Sequence, residues 1–78
     1  MLYHFNIIEG ASQIVDLDGT ELPSEEAAQA EARQIVSELM REFPGRFGIG
    51  SAVEVFTSGR RIMAIPVNEG WQTERLAG

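Results

Sequence analysis

The fold of this chain is decided by one stretch, Asp16-Leu-Asp-Gly-Thr-Glu-Leu-Pro-Ser-Glu-Glu-Ala-Ala28. Within it, Asp18-Gly19 is typical of a tight turn, because both residue types tolerate a positive φ angle. Residues 20–22 are then predicted to run briefly extended. Ser24 is the predicted helix N-cap, since its hydroxyl can accept from the free amides of the first turn. The two glutamates that follow place negative charge at the positive end of the helix dipole.

Beyond Ser24, apolar residues recur at spacings of three and four, which is the pattern of a helix that packs one face on a core. We expect the helix to end at Pro44-Gly45, because proline cannot continue a helix and glycine is favoured just past its end. The apolar stripe consists of Ala28, Ala32, Ile35, Val36, Leu39 and Phe43.

Four segments outside the helix show the alternation of strands. Residues 2–8 and 13–17 are predicted to form one hairpin, and residues 52–57 and 61–67 a second. The sequence therefore predicts an α+β fold of order β-β-α-β-β, with one helix packed on one face of an antiparallel four-stranded sheet. We predict a single domain over residues 1–67 and a polar C-terminal tail over residues 68–78.

The last predicted strand is apolar on both of its sides. Ile62 and Ala64 share one side, and Met63, Ile65 and Val67 share the other. One helix covers only one face of a sheet, and an uncovered apolar face usually marks a protein interface. The sequence therefore predicts a non-catalytic protein-interaction or regulatory module that acts as a homodimer.

Four residues are predicted to contribute to this interface. His4 lies on the less apolar side of the first strand, and Met63 and Ile65 lie on the last strand. Trp71 stands in the polar tail, where a tryptophan often anchors onto a surface. The alternative for Trp71 is that it folds back on its own sheet.

The composition makes several functional classes improbable. The chain has 78 residues, with twelve carboxylates against six arginines, no lysine and a net charge of −6. Non-specific DNA binding requires clustered lysine and arginine, so we expect basic protein partners rather than nucleic acid. The sequence lacks cysteine and an apolar run of membrane-spanning length, and its first residues do not place a basic region before an apolar one. These features predict a cytoplasmic protein that does not contact a membrane.

No motif predicts a catalytic, cofactor or metal site. Asp16, Asp18 and Glu21 surround one turn, but the further ligands and closing glutamate of a calcium loop are missing, so a turn is favoured over a metal site. His4 is the only histidine, and no nucleophile or orienting group is evident for it. We therefore predict that the protein is not an enzyme and needs no cofactor.

Two further motifs favour structural roles. The glycines over residues 45–50 follow a helix and open a strand, whereas a phosphate-binding loop follows a strand and opens a helix. Arg60-Arg61 is expected at a hairpin tip as a pair of solvated turn residues. Contact with phosphate or with an acidic partner is the alternative for these arginines.

A family resemblance rests on residues spread along nearly the whole chain up to Val67. These residues are Tyr3, Phe5 and Gly10, then Asp16, Gly19, Glu21, Leu22 and Pro23, then Ala27, Ala28, Ala30 and Ala32, and finally Gly59, Arg60 and Pro66. On these residues the chain resembles a family of small bacterial proteins of unknown function. It departs from that family at Asn6, where histidine or aspartate is frequent, and at Glu9, where aspartate is frequent. The resemblance implies the fold and brings no activity, substrate or cofactor.

A second resemblance is to the antitoxin domains of toxin–antitoxin pairs. Those domains also place a strand hairpin before a helix rich in alanine and glutamate, and they bind a small basic toxin. The acidic charge of this chain is compatible with such a partner. The alternative function is therefore an antitoxin-like regulator that binds a small basic toxin.

Overall fold

The computed structural model describes residues 1–67 of the chain. The described residues form one helix and five strands, and every strand pair is antiparallel. The α+β class is therefore confirmed, with one strand more than predicted because the short extended segment after the turn pairs with the first strand. The elements are β1 (Leu2–Glu9), β2 (Ser12–Ile14), β3 (Thr20–Glu21), α1 (Glu25–Glu42), β4 (Ala52–Thr57) and β5 (Arg60–Pro66).

The two central strands of the sheet are β1 and β4, in the order β2-β1-β4-β5. Their pairing aligns Phe5 with Val55. β2 and β3 lie one after the other along the remaining edge of β1, where Ile14 pairs with Ile7 and Glu21 with Leu2. The edge of the sheet is thus formed by one stretch of chain that leaves β1 after β2 and returns to it at β3.

The helix begins where the sequence predicts. The Ser24 hydroxyl accepts a hydrogen bond from the Ala27 amide at 3.1 Å, which caps the first turn. α1 ends one residue before Phe43, whose amide donates to the Leu39 carbonyl at 2.9 Å. Ala28 and Ala32 on its inner face are completely buried, because a small side chain allows the helix to approach the sheet closely.

The core lies between α1 and one face of the sheet. Apolar side chains from β1, β4 and α1 alternate onto this side, as the sequence pattern predicts. Phe47, from the connection after the helix, and Val67, just past β5, complete it. The buried core residues are Tyr3, Phe5, Ala28, Ala32, Val36, Phe47, Val53, Val55 and Val67.

β5 departs from simple alternation at a β-bulge. Val55 of β4 pairs with Met63, whereas the next residue of β4 pairs with Arg61, so Ile62 is an extra residue. In a bulge, two consecutive residues oppose one residue of the neighbouring strand. Ile62 therefore packs against the core together with Met63. The prediction that Ile62 shares a side with Ala64 is wrong, because strict alternation does not anticipate the bulge.

Candidate functional site

Asp16 holds the segment between β2 and β3 against β1. Its carboxylate accepts hydrogen bonds from the amides of Phe5 and Gly19, each at 3.0 Å. Its own amide donates to Asn6 Oδ1 at 2.9 Å, and its carbonyl oxygen lies 2.8 Å from His4 Nδ1. Since a carbonyl oxygen only accepts, Nδ1 carries the hydrogen in this contact. We call residues 15–19 the Asp16 loop.

The Asp16 loop shortens the predicted second strand. The alternation suggests a strand over residues 13–17, but β2 ends at Ile14 because Asp16 bonds to side chains as well as to the backbone of β1. His4 and Asn6 provide those side chains. Their structural role was missed, although polar residues in an apolar strand, together with an Asp-x-x-Gly motif, are the signal that could have revealed it.

The hydrogen bonds to Asp16 determine its ionisation. Partial burial raises the pKa of the Asp16 carboxyl. The hydrogen bonds from the Gly19 and Phe5 amides, with the electrostatic attraction of His4, outweigh that effect and bring the pKa below its ordinary value of 3.8. The carboxylate is therefore ionised at neutral pH and serves as an acceptor for backbone amides.

Gly19 closes the Asp16 loop in a position that disfavours a side chain. Its φ is +76°, and a Cβ there would lie 3.0 Å from His4 Cε1 and from Leu2 Cδ1. We expect Gly19→Ala to lower the free energy of unfolding by about 1–2 kcal/mol from backbone strain alone, with a further loss from these contacts. Urea unfolding measures the change.

The matched control for Gly19→Ala is Gly10→Ala. Gly10 has a φ of +61°, but no atom lies within 4 Å of its Cβ position. The control therefore carries the backbone strain without the contacts to His4 and Leu2. Equal losses in the two variants would contradict the close packing of Gly19.

A second polar cluster lies at the opposite end of β1. The Arg46 guanidinium lies between the rings of Phe43 and Phe47, 5.3 Å from each ring centroid. It donates two hydrogen bonds to Glu9, from Nε to Oε2 at 3.0 Å and from Nη2 to Oε1 at 3.1 Å. The hydrogen bond from Arg46 lowers the pKa of Glu9, and the same contact raises the pKa of Arg46. The cluster fastens the glycine-rich connection after α1 to the end of β1.

The sheet face turned away from α1 is a candidate binding surface, and we call it the open face. The only helix of residues 1–67 packs on the other side. Arg61 Nη1 donates to Glu54 Oε2 at 2.9 Å across the open face. The register arranges its residues in three rows across β1, β4 and β5, which are Ile8-Ala52-Pro66, Asn6-Glu54-Ala64 and His4-Phe56-Arg61.

The predicted interface residues are not brought together on this face. His4 lies on the open face, but Met63 and Ile65 are on the helix side of β5 and pack against the core. The open face is consequently a mixture of polar and apolar residues rather than a continuous apolar surface. The bulge causes this outcome, because it shifts the register of β5 so that Met63 and Ile65 lie on the helix side together with Ile62. Trp71 and the rest of the predicted tail lie outside the described residues.

Two other charged residues of the sequence motifs form ion pairs. Arg61 is bound to Glu54, and Glu21 contacts the Met1 amino group at 3.0 Å. Within residues 1–67, no group of three or more histidine, aspartate or glutamate side chains is arranged to hold a metal ion. In that same part of the chain, no helix combines the length and apolarity required to cross a membrane.

Comparison with known proteins gives a family but no activity. The family described as Domain of unknown function (DUF6894) matches residues 2–68 of the chain. The chain belongs to this family. The DUF6894 match extends from the start of β1 past the end of β5, so it includes the Asp16 loop and the open face. No curated protein and no solved structure matches the chain.

Proposed function

We propose that this DUF6894 domain is a non-catalytic protein-interaction module, and that it acts as a homodimer through its open face. The observation that supports this proposal is the charge of that face. The whole chain has a net charge of −6, whereas the ionic side chains in the three rows of the open face, Glu54 and Arg61, cancel each other. The three rows of the open face therefore carry no net charge, although the molecule is acidic.

A neutral surface favours a second copy of the same chain as the occupant. Two copies with a net charge of −6 repel each other, and the repulsion is smallest when the closest surfaces are neutral. A two-fold axis places the same surface on both sides of the contact. The neutral Glu54–Arg61 pair of one copy therefore faces the same neutral pair of the other copy. Glu54 and Arg61 can then each bind across the axis as well as within their own chain.

The mixture of polar and apolar residues on the open face is typical of a protein–protein interface that forms and dissociates reversibly. Such interfaces are about as apolar as the remaining protein surface, with an apolar centre and aromatic residues enriched. Phe56 is the aromatic side chain of the open face and stands on a central strand, between His4 and Arg61 in its row. We expect Phe56 to be the main apolar anchor of the dimer.

Phe56→Ala tests the dimer directly. Truncation of an aromatic anchor should raise the dimer dissociation constant by about tenfold or more. Sedimentation equilibrium over a micromolar to sub-millimolar concentration range measures this constant. Phe43→Ala is the matched control, since it makes the same change at the end of α1 and should leave dimerisation unaffected.

Salt provides an independent readout. Added salt screens the repulsion between two acidic copies, so the dimer should become tighter as ionic strength rises. A protein that stays monomeric throughout the concentration range would contradict the proposal. So would equal weakening of the dimer by Phe56→Ala and Phe43→Ala. The antitoxin-like role with a small basic toxin stays a prediction of the sequence.

A further inference from the structure

A set of exposed apolar side chains lies along the edge of the sheet where β2 and β3 lie. Seven large apolar side chains of residues 1–67 are exposed, and four of them belong to this edge. Leu17 at the tip of the Asp16 loop is 85% exposed. We call this set the apolar edge, and it consists of Leu2, Ile14, Val15 and Leu17. The register places Ile14 on the helix side of β1 and Leu2 on the side of the open face, with Val15 and Leu17 in the chain between β2 and β3.

The backbone beneath the apolar edge is held in place. Asp16 stands between Val15 and Leu17 and is joined to β1 through its carboxylate, amide and carbonyl groups. The Leu2 side chain lies close to Gly19, at the C-terminal end of the Asp16 loop. The exposed side chains are thus presented by a rigid backbone, and binding to such a surface costs little conformational entropy.

The charged side chains around the apolar edge are acidic, and the Met1 amino group, which contacts Glu21, is a positive charge beside them. Residues 1–32 contain seven carboxylates and neither lysine nor arginine. Asp18 and Glu21 are exposed within and just beyond the Asp16 loop. This charge disfavours a second acidic copy of the chain on this edge and favours a positively charged partner.

We infer that the apolar edge binds a basic segment of another protein that carries apolar side chains. The apolar side chains of that segment contact Leu17 and its neighbours, and its lysine or arginine side chains face Asp18 and Glu21. The edge backbone is interrupted between β2 and β3, so the contact depends on side chains rather than on an added strand. The apolar edge adjoins the open face at Leu2 and His4. The inference is tested separately from the homodimer by the variants and by the opposite responses to salt given below.

Selection from a random peptide display library on the immobilised full-length protein tests the inference. We expect the selected peptides to combine arginine or lysine with leucine or aromatic residues. Their affinity for the protein in solution should fall about tenfold for Leu17→Ser. It should also fall for Asp18→Asn and with rising salt, because the charge contribution is screened.

The control variant is Ile49→Ser, which removes an apolar side chain that is 95% exposed in the connection before β4. Peptide affinity should be the same for this variant and for the unmodified protein. An unchanged urea midpoint shows that Leu17→Ser leaves the fold intact, as its exposure predicts.

Three results would overturn the inference: no enriched peptide, enriched peptides without basic residues, or equal sensitivity to Leu17→Ser and Ile49→Ser. The Phe56→Ala variant separates this test from that of the dimer, because it should leave peptide binding unchanged. The two surfaces also differ in their response to salt, which tightens the dimer and weakens the peptide complex.

Discussion

Replacing Asp16 with alanine should lower the free energy of unfolding by about 2–4 kcal/mol. The carboxylate accepts from the amides of Phe5 and Gly19, and hydrogen bonds to a charged group contribute more than neutral ones. Their loss leaves two backbone donors without this acceptor and releases the Asp16 loop from β1. Urea unfolding followed by far-ultraviolet circular dichroism measures the loss.

Asp16→Asn is the control for size and shape. The amide side chain keeps one acceptor oxygen, so it should lose less stability than Asp16→Ala. It also carries no ionisable group. A loss as small as that of an exposed aspartate, for example Asp18→Ala, would contradict the role assigned to Asp16.

The pH dependence of Asp16 has a definite sign. Its pKa is lower in the folded protein than the ordinary 3.8, so the unfolded chain binds the proton more tightly. The contribution of Asp16 is therefore complete above its unfolded pKa and is lost as pH falls through the folded pKa. The stability difference between the unmodified protein and Asp16→Asn should be constant near neutral pH and should shrink below about pH 4.

Phe5→Ala should have the largest effect, about 3–5 kcal/mol of lost stability. The Phe5 ring is 7% exposed, within the core between α1 and the sheet. A domain of 78 residues has a total stability of about 4–12 kcal/mol, so this one substitution removes a large part of it. Urea unfolding, or the loss of near-ultraviolet dichroism where the variant no longer folds in water, gives the measurement.

Two variants serve as controls for the prediction on Phe5→Ala. Phe5→Leu retains most of the apolar volume and should remain folded with a smaller loss. Phe43→Ala removes the same ring from a position that is 43% exposed, so it should cost far less than Phe5→Ala. Similar losses at Phe5 and Phe43 would show that the core is not where the structure places it.

Local sequence signals were sufficient for the class of fold and for most of its elements. Ser24 caps α1 as its position before two glutamates indicates, because capping depends only on residues within one turn. β4 was predicted with the bounds that the structure has, since its alternation is uninterrupted. The extended segment after Asp18-Gly19 is also present, as β3.

The candidate surfaces could be predicted only in part. That one sheet face remains open followed from the presence of a single predicted helix. Which residues lie on that face did not follow, because the bulge at Ile62 changes the side of the residues after it in β5, relative to the register set at the turn between β4 and β5. Uninterrupted alternation from that turn predicts Met63 and Ile65 on the open face, whereas they pack against the core.

The sequence by itself determined most elements of this protein, its acidic charge and the division of its helix into a buried and an exposed side. These properties depend on neighbouring residues along the chain. Only the tertiary structure decided the roles of Asp16, His4 and Asn6, because hydrogen bonds between residues ten or more positions apart exist only once β2 and β3 lie beside β1. It likewise decided that the open face is neutral, since Glu54 and Arg61 meet only through the pairing of β4 with β5.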